Sequence, residues 1–308
     1  MKKNNVAIIF CCLLIVVFSG CAAVQISQRD CTPSIRDAAR FAPIVAEIEA
    51  VLESDPAAMV LLVLDMDNTI LAMNQDLGSD QWFTWQHGLL KGDDQSKDGL
   101  VAEDFGGLLQ AQYRLQALSA MHPTDSAFAT GVLAGLQKNP RFDALVLTAR
   151  GSEARCATLR ELKKNGFDLS LSPPAPENGY GAPFFLPSGE GPEEGRRPVT
   201  YRQGVMMVAG QNKGEMLQGL FKKAGVVGSP YDVIFFVDDT EKNDRDMQAA
   251  YANCQDPMVR GVDMRIFRFT GESANVRRFF SGDKTHVIQG WRWFDGGVKK
   301  AMKGPRLP

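Results

Sequence analysis

Three nearly uninterrupted apolar runs in this chain each end in a short polar cluster, and that punctuation limits the fold more than any other feature. Met59 to Leu64 runs into Asp65-Met66-Asp67-Asn68-Thr69, Ala144 to Leu147 into Thr148-Ala149-Arg150, and Val233 to Val237 into Asp238-Asp239. Apolar runs without alternation read as strands buried on both faces, as in a parallel sheet covered by helices on each side. Parallel strands bring their carboxyl ends to one edge, so these distant clusters should converge in one crevice. Lys213 joins them differently: it opens the helical pattern Lys213 to Lys223, between Gly210 and Gly214. The expected fold class is a doubly wound, mainly parallel α/β sheet.

Around these strands the pattern is mostly helical. Ser34 to Ser54 reads as one amphipathic helix, with Ile35, Phe41, Ile44, Val45, Ile48, Val51 and Leu52 recurring at three and four. From Thr69 to Phe142 the chain is several times longer than the crossover of about a dozen residues that parallel strands require. Asp125 to Lys138 reads as a helix packed on the sheet, and roughly 74–122 as an inserted helical cap over the site. A helix is expected over Glu153 to Asn165, a Pro- and Gly-rich loop over Pro173 to Pro198, and a hairpin arm over Val199 to Val208. Glu241 to Ala252 reads as a helix and Val262 to Phe269 as a strand. The carboxyl-terminal part, with Trp291 and Trp293, carries no clear pattern.

The amino terminus reads as an address. Lys2 and Lys3 precede a continuous apolar run from Val6 to Phe18, short for a membrane span but suited to an export signal. The run ends in Phe18-Ser19-Gly20-Cys21, which resembles the lipobox of bacterial lipoproteins, with Phe18 where Leu is usual. The expectation is a signal peptide over 1–20, a polar tether over 21–33, and the α/β domain over 34–308. Cys21 would be lipidated, placing the protein in the bacterial cell envelope, at the outer membrane, the periplasmic side or the cell surface; the alternatives are secretion after ordinary cleavage and an uncleaved anchor. Of the remaining cysteines, Cys31, Cys156 and Cys254 permit at most one disulfide, and no CxxC pair suggests zinc. With 308 residues at a net charge of −2, no basic field points to nucleic acid.

The clusters themselves describe phosphoryl chemistry. Of two carboxylates two residues apart, Asp65 can attack phosphorus and Asp67 can protonate the leaving alcohol and later deprotonate water. Thr148 offers a hydroxyl to a phosphoryl oxygen, and Lys213 offsets charge that builds in the transition state. Adjacent carboxylates at Asp238 and Asp239 repel one another unless a cation lies between them, and oxygen ligands suit magnesium, Mg2+. Arg150 reads as a phosphate contact or a surface salt bridge, and Asn243 as a helix-start residue or a supporting group. Trp82, Phe83 and Trp85 read as cap core or as a substrate stack. His87, His122 and His286 show no metal spacing.

The order D-x-D-x-T, a strand ending in Thr, Lys at a helix start, and a strand ending in Asp-Asp resembles the haloacid dehalogenase superfamily over roughly residues 58–270. Gly78 to Phe83 with Asn212-Lys213-Gly214 is similar to an uncharacterised bacterial branch of it. The resemblance implies a Rossmann-like core with a cap between the first and second motifs. It makes Asp65 the nucleophile and Asp67 the general acid/base, with Thr148 and Lys213 on phosphate. Magnesium would be held by Asp65, the backbone carbonyl of Asp67, and Asp238, with Asp239 and Asn243 in support. Retention of Asp67 favours a hydrolase of small organic phosphomonoesters acting through an aspartyl-phosphate. The alternatives are a catalytically weak binding or effector lipoprotein and a receiver-like phosphoacceptor, although a receiver orders these residues differently and carries no cap.

Overall fold

The computed structural model describes residues 32–92, 97–186 and 196–303. The export segment, Cys21 and Cys31 lie outside the described residues. In chain order the main elements begin with β1 (Ile35–Ala38), α1 (Ala42–Ser54), β2 (Val60–Leu64), β3 (Leu71–Met73), α2 (Asp80–Lys91), α3 (Phe105–Leu118) and β4 (Met121–Pro123). Then follow α4 (Leu133–Leu136), β5 (Phe142–Thr148), α5 (Arg155–Lys164), β6 (Thr200–Arg202), β7 (Val205–Met207) and α6 (Lys213–Lys223). The chain continues with β8 (Val233–Asp238), α7 (Glu241–Ala250), β9 (Asp263–Phe269), α8 (Ser273–Ser281) and α9 (Thr285–Lys303).

A seven-stranded sheet in the order β1-β9-β8-β2-β5-β7-β6 forms the centre. Every neighbouring pair is parallel except the hairpin of β6 with β7 at one edge. Alternation along β2 divides its side chains between two cores. Val60, Leu62 and Leu64 pack with Ile44 and Ile48 of α1 and Leu162 of α5. Leu61 and Val63 pack with Met216, Leu217 and Leu220 of α6 and Met247 of α7. All five β2 residues are fully buried, each contributing about 1.5–3 kcal/mol relative to exposure. This is the doubly wound architecture that unalternating apolar runs require.

One expected element is corrected. Ser34 to Ser54 is not a single helix: Ile35–Ala38 extends and pairs with β9 before the helix begins at Ala42. Pro43 lies in the first turn of α1, where its missing N–H costs nothing. The edge pairing overrides the helical spacing that Ile35 continues in the sequence. The helix expected over Asp125 to Lys138 is a π turn, Phe128–Val132, running into α4.

The insertion leaves and re-enters the core through the antiparallel ribbon of β3 with β4. Its helices α2 and α3 pack on one another around Trp82, Leu108, Ala111 and Leu115. Gly78 permits this approach, because its φ is +85° and a Cβ there would lie 2.7 Å from that of Leu115. The carboxyl-terminal helices, unassigned from sequence, complete the same cluster: Phe279 and Val287 are buried in it, with Trp291 and Phe294 packed against it. Arg160 of α5 ties the cap to the core by donating to the carbonyls of Gln116, Ala117 and Ser119 at the end of α3.

Candidate functional site

Strand register brings the polar clusters together. Leu64 pairs with Val237 on one side and Val146 on the other, so Asp65 emerges beside Asp238, with Thr148 across β2. The Asp65 amide donates to the Val237 carbonyl at 2.9 Å, fixing this alignment. After Asp67 the chain turns sharply: Asn68 has φ +57°, a left-handed conformation that Asn tolerates, and its amide donates to the Leu71 carbonyl. Lys213 is the first residue of α6, after an Asn212 cap that accepts from the Glu215 amide at 3.1 Å. Gly214 lets that helix end reach the site. A Cβ there would come within 2.9 Å of the Asp246 carbonyl oxygen on α7.

The Lys213 ammonium is buried between two carboxylates. It donates to Asp65 and, at 2.6 Å, to Asp238. Asp238 also accepts from the Thr240 amide at 2.9 Å and from the Asn243 side-chain amide at 3.0 Å. The sequence left Asn243 open between two roles; it is a direct support of Asp238. Asp65, Asp238 and Asp239 form a group whose ligand atoms lie within 4.8 Å of one another.

One ammonium among three carboxylates leaves two negative charges uncompensated. Burial opposes a charge on Lys213, but Asp238 and Asp65 outweigh it and raise its pKa, so it stays charged. Asp65 is pushed up to about 8, by burial first and then by Asp238 and Asp67 against the pull of Lys213. Asp239 is raised by burial and by Asp238. A doubly charged cation with oxygen ligands supplies the missing charge, so the residues fit a divalent metal.

Asp67 stands apart from this group. Arg150 holds its carboxylate by a two-pronged pair, Nε to Oδ2 at 2.8 Å and Nη2 to Oδ1 at 2.7 Å. Arg150 is itself 7% exposed and reaches Thr158 at 3.1 Å. The surface salt bridge considered for Arg150 is therefore a buried, oriented ion pair on the second carboxylate. Thr148 Oγ1 accepts from the Arg150 amide at 3.2 Å, leaving its own O–H for another acceptor.

Beside Asp67 and Arg150 opens a cavity of about 310 Å³. Its lining includes Phe83, Phe105, Tyr113, Gln112 and Gln116 from the cap, together with Arg197 and Gly210. Of the three aromatics grouped in the sequence, only Phe83 lines this space. Trp82 is fully buried against Trp291, and Trp85 packs on Phe279. The end of the Pro- and Gly-rich loop also contributes: Arg197 and Pro198 line the cavity, and the Arg197 backbone is pinned by Gln211, two residues before Lys213.

Asp80, at the start of α2, is the site residue that sequence reasoning missed. It lines the same cavity, and its pKa is raised to about 7 by burial, then by the charges of Asp67 and Asp238. Ser79-Asp80 carried only the signal of a helix start, which Ser79 fulfils by capping the Trp82 amide. The histidines lie in peripheral contacts: His122 meets Asn74 and His286 meets Asp76.

A buried carboxylate cluster bridged by lysine on a mostly parallel sheet is consistent with a haloacid dehalogenase-like hydrolase fold. It supports a metal-coordinating catalytic site and hydrolase chemistry in general. No curated protein matches the chain. Residues 39–295, which hold the cap, all the site residues above and every strand of the sheet but β1, match the family described as "Protein of unknown function (DUF2608)", and the chain belongs to that family.

Proposed function

We propose that the protein is a magnesium-dependent phosphatase that hydrolyses small organic phosphomonoesters through an aspartyl-phosphate on Asp65. The observation that carries this reading is the convergence of Asp65, Lys213, Asp238 and Asp239 at one sheet edge, beside the oriented Asp67. Asp65, Asp238 and Asp239 would hold the ion, with the Asp67 backbone carbonyl as a further ligand. Bound there, magnesium would neutralise phosphoryl oxygens and make phosphorus more open to attack.

A carboxylate oxygen of Asp65 attacks phosphorus, the bond to the leaving oxygen breaks, and Asp67 gives that oxygen a proton. Asp67 then takes a proton from water, which attacks the same phosphorus and releases inorganic phosphate from Asp65. Thr148 donates to a phosphoryl oxygen and Lys213 balances the charge that accumulates there. Arg150 holds Asp67 against the leaving-group side of the cavity, which matters because proton transfer requires hydrogen-bond reach. Replacing Asp65 by Asn should reduce magnesium-dependent release of phosphate from an aryl phosphate by at least about 10³-fold. Turnover comparable to wild type would refute the mechanism.

We also infer export and lipid attachment at Cys21. The Lys2 to Cys21 pattern supports this. Cys156 is exposed and free. Loss of the membrane-associated fraction in Cys21→Ala cells would support the anchor; an unchanged distribution would exclude it.

A further inference from the structure

We propose that the cavity beside Asp67 selects phosphomonoesters whose alcohol part carries an ammonium group, with Asp80 as its counter-ion. This rests on the phosphatase reading for the position of the leaving group: an alcohol protonated by Asp67 departs into the space that Asp67 lines. What that space offers is acidic on balance: Asp80 and Glu153 line it against the guanidinium of Arg197, the Arg150 charge being matched by Asp67. Lys213 is engaged by Asp65 and Asp238, and Arg150 by Asp67, so both act on Asp80 through space without forming an ion pair with it. Among the described residues no hydrogen-bond donor meets the Asp80 carboxylate.

The other polar groups of the cap wall point to the same ligand. Gln112 and Gln116 line the cavity one helical turn apart on α3, are 7% and 5% exposed, and their amide oxygens have no hydrogen-bond partner. The Gln112 nitrogen is already committed to the Gly78 carbonyl at 2.8 Å, which leaves its oxygen as the available end. Buried acceptors without donors are costly, by roughly 1–3 kcal/mol each, and a ligand with N–H groups relieves that cost. Phe83, Phe105 and Tyr113 add aromatic surface, which attracts organic cations. A carboxylate, orphaned carbonyl oxygens and aromatic rings together complement an ammonium better than a neutral or anionic group. The volume of about 310 Å³ admits an aryl or short alkyl amine.

The test compares tyramine O-phosphate with para-ethylphenyl phosphate, which share a shape and differ by the ammonium, on the magnesium-loaded protein. Wild type should prefer the amine by about tenfold in kcat/KM, and Asp80→Asn should bring the ratio close to one. Gln116→Met should narrow it by a smaller factor. In parallel, titrating tyramine and para-ethylphenol by NMR, which needs no turnover, should show the same preference and its loss in Asp80→Asn. Equal use and equal binding of the two members of each pair, or binding of neither alcohol, would overturn the inference. So would a preference that survives Asp80→Asn, or a variant that changes only the magnesium concentration required. Selective tyramine binding without hydrolysis of either phosphate would uphold the pocket's selectivity while removing the phosphatase reading.

Discussion

On the sheet wall of the site, charged side chains are held in pairs: Lys213 between Asp65 and Asp238, Asn243 on Asp238, Arg150 on Asp67. On the cap wall the reverse holds, with Asp80 lacking an ion-pair partner among the described residues and the oxygens of Gln112 and Gln116 unmet. The sheet wall derives its positions from strand register, which a one-residue slip would destroy, so its geometry is set before any ligand arrives. The cap wall derives its positions from helix packing around Trp82. The two walls of the site are thus positioned by different means, one by backbone pairing and one by side-chain packing.

That contrast can be broken by experiment. The largest effect is expected at Asp67: Asp67→Asn should slow steady-state hydrolysis by about 10²–10⁴-fold, with phosphorylated protein accumulating in acid-quenched samples. Fast, complete turnover in that variant would remove Asp67 from the chemistry. Lys213→Met should follow, lowering unfolding free energy by roughly 3–5 kcal/mol because buried carboxylates lose their cation. Denaturant titration measures it, and an unchanged midpoint would mean that the sheet wall is less tightly coupled than its geometry implies. On the cap side, Trp82→Ala should cost about 3–5 kcal/mol as a buried ring is lost. Trp82→Phe should cost under about 1.5 kcal/mol, since the indole N–H has no partner among the described residues.

The smallest effect concerns Asp244, which accepts from Arg268 at 2.9 Å behind the sheet wall. Burial pushes its pKa up to about 7, against the pull of Arg268. A carboxyl raised in the folded state binds its proton more tightly there, so its stabilising contribution is complete below about pH 4 and is lost as pH rises through 7. Thermal melts of Asp244→Asn should therefore compare more favourably with wild type at pH 8 than at pH 5. A difference that does not change with pH would contradict this.

The sheet wall was legible in the sequence because buried parallel strands leave an unmistakable run and a polar stop. Leu64-Asp65 and Val237-Asp238 identify themselves by that stop, and Lys213 by its glycine neighbours. The cap wall was less legible, since nothing local distinguishes Asp80 from any acid in a first helical turn. Phe83 could not be separated from Trp82 and Trp85 either, because which ring faces inward depends on α8 and α9, some 200 positions away. Arg150 appeared beside Thr148 in the pattern, but its partner lies on another strand end. The strand at Ile35 was hidden because its pairing with Ile266 has no local trace and the helical spacing runs through it.

The sharing of one apolar cluster by Trp82, Val287 and Trp291 has a consequence for biosynthesis. A chain made from its amino terminus exposes the greasy faces of α2 and α3 long before α8 and α9 exist to cover them. The catalytic floor can assemble once β9 has been made, whereas its roof must await the tail. Damage to that tail should therefore yield a protein with an intact reaction centre under a loosened, sticky lid.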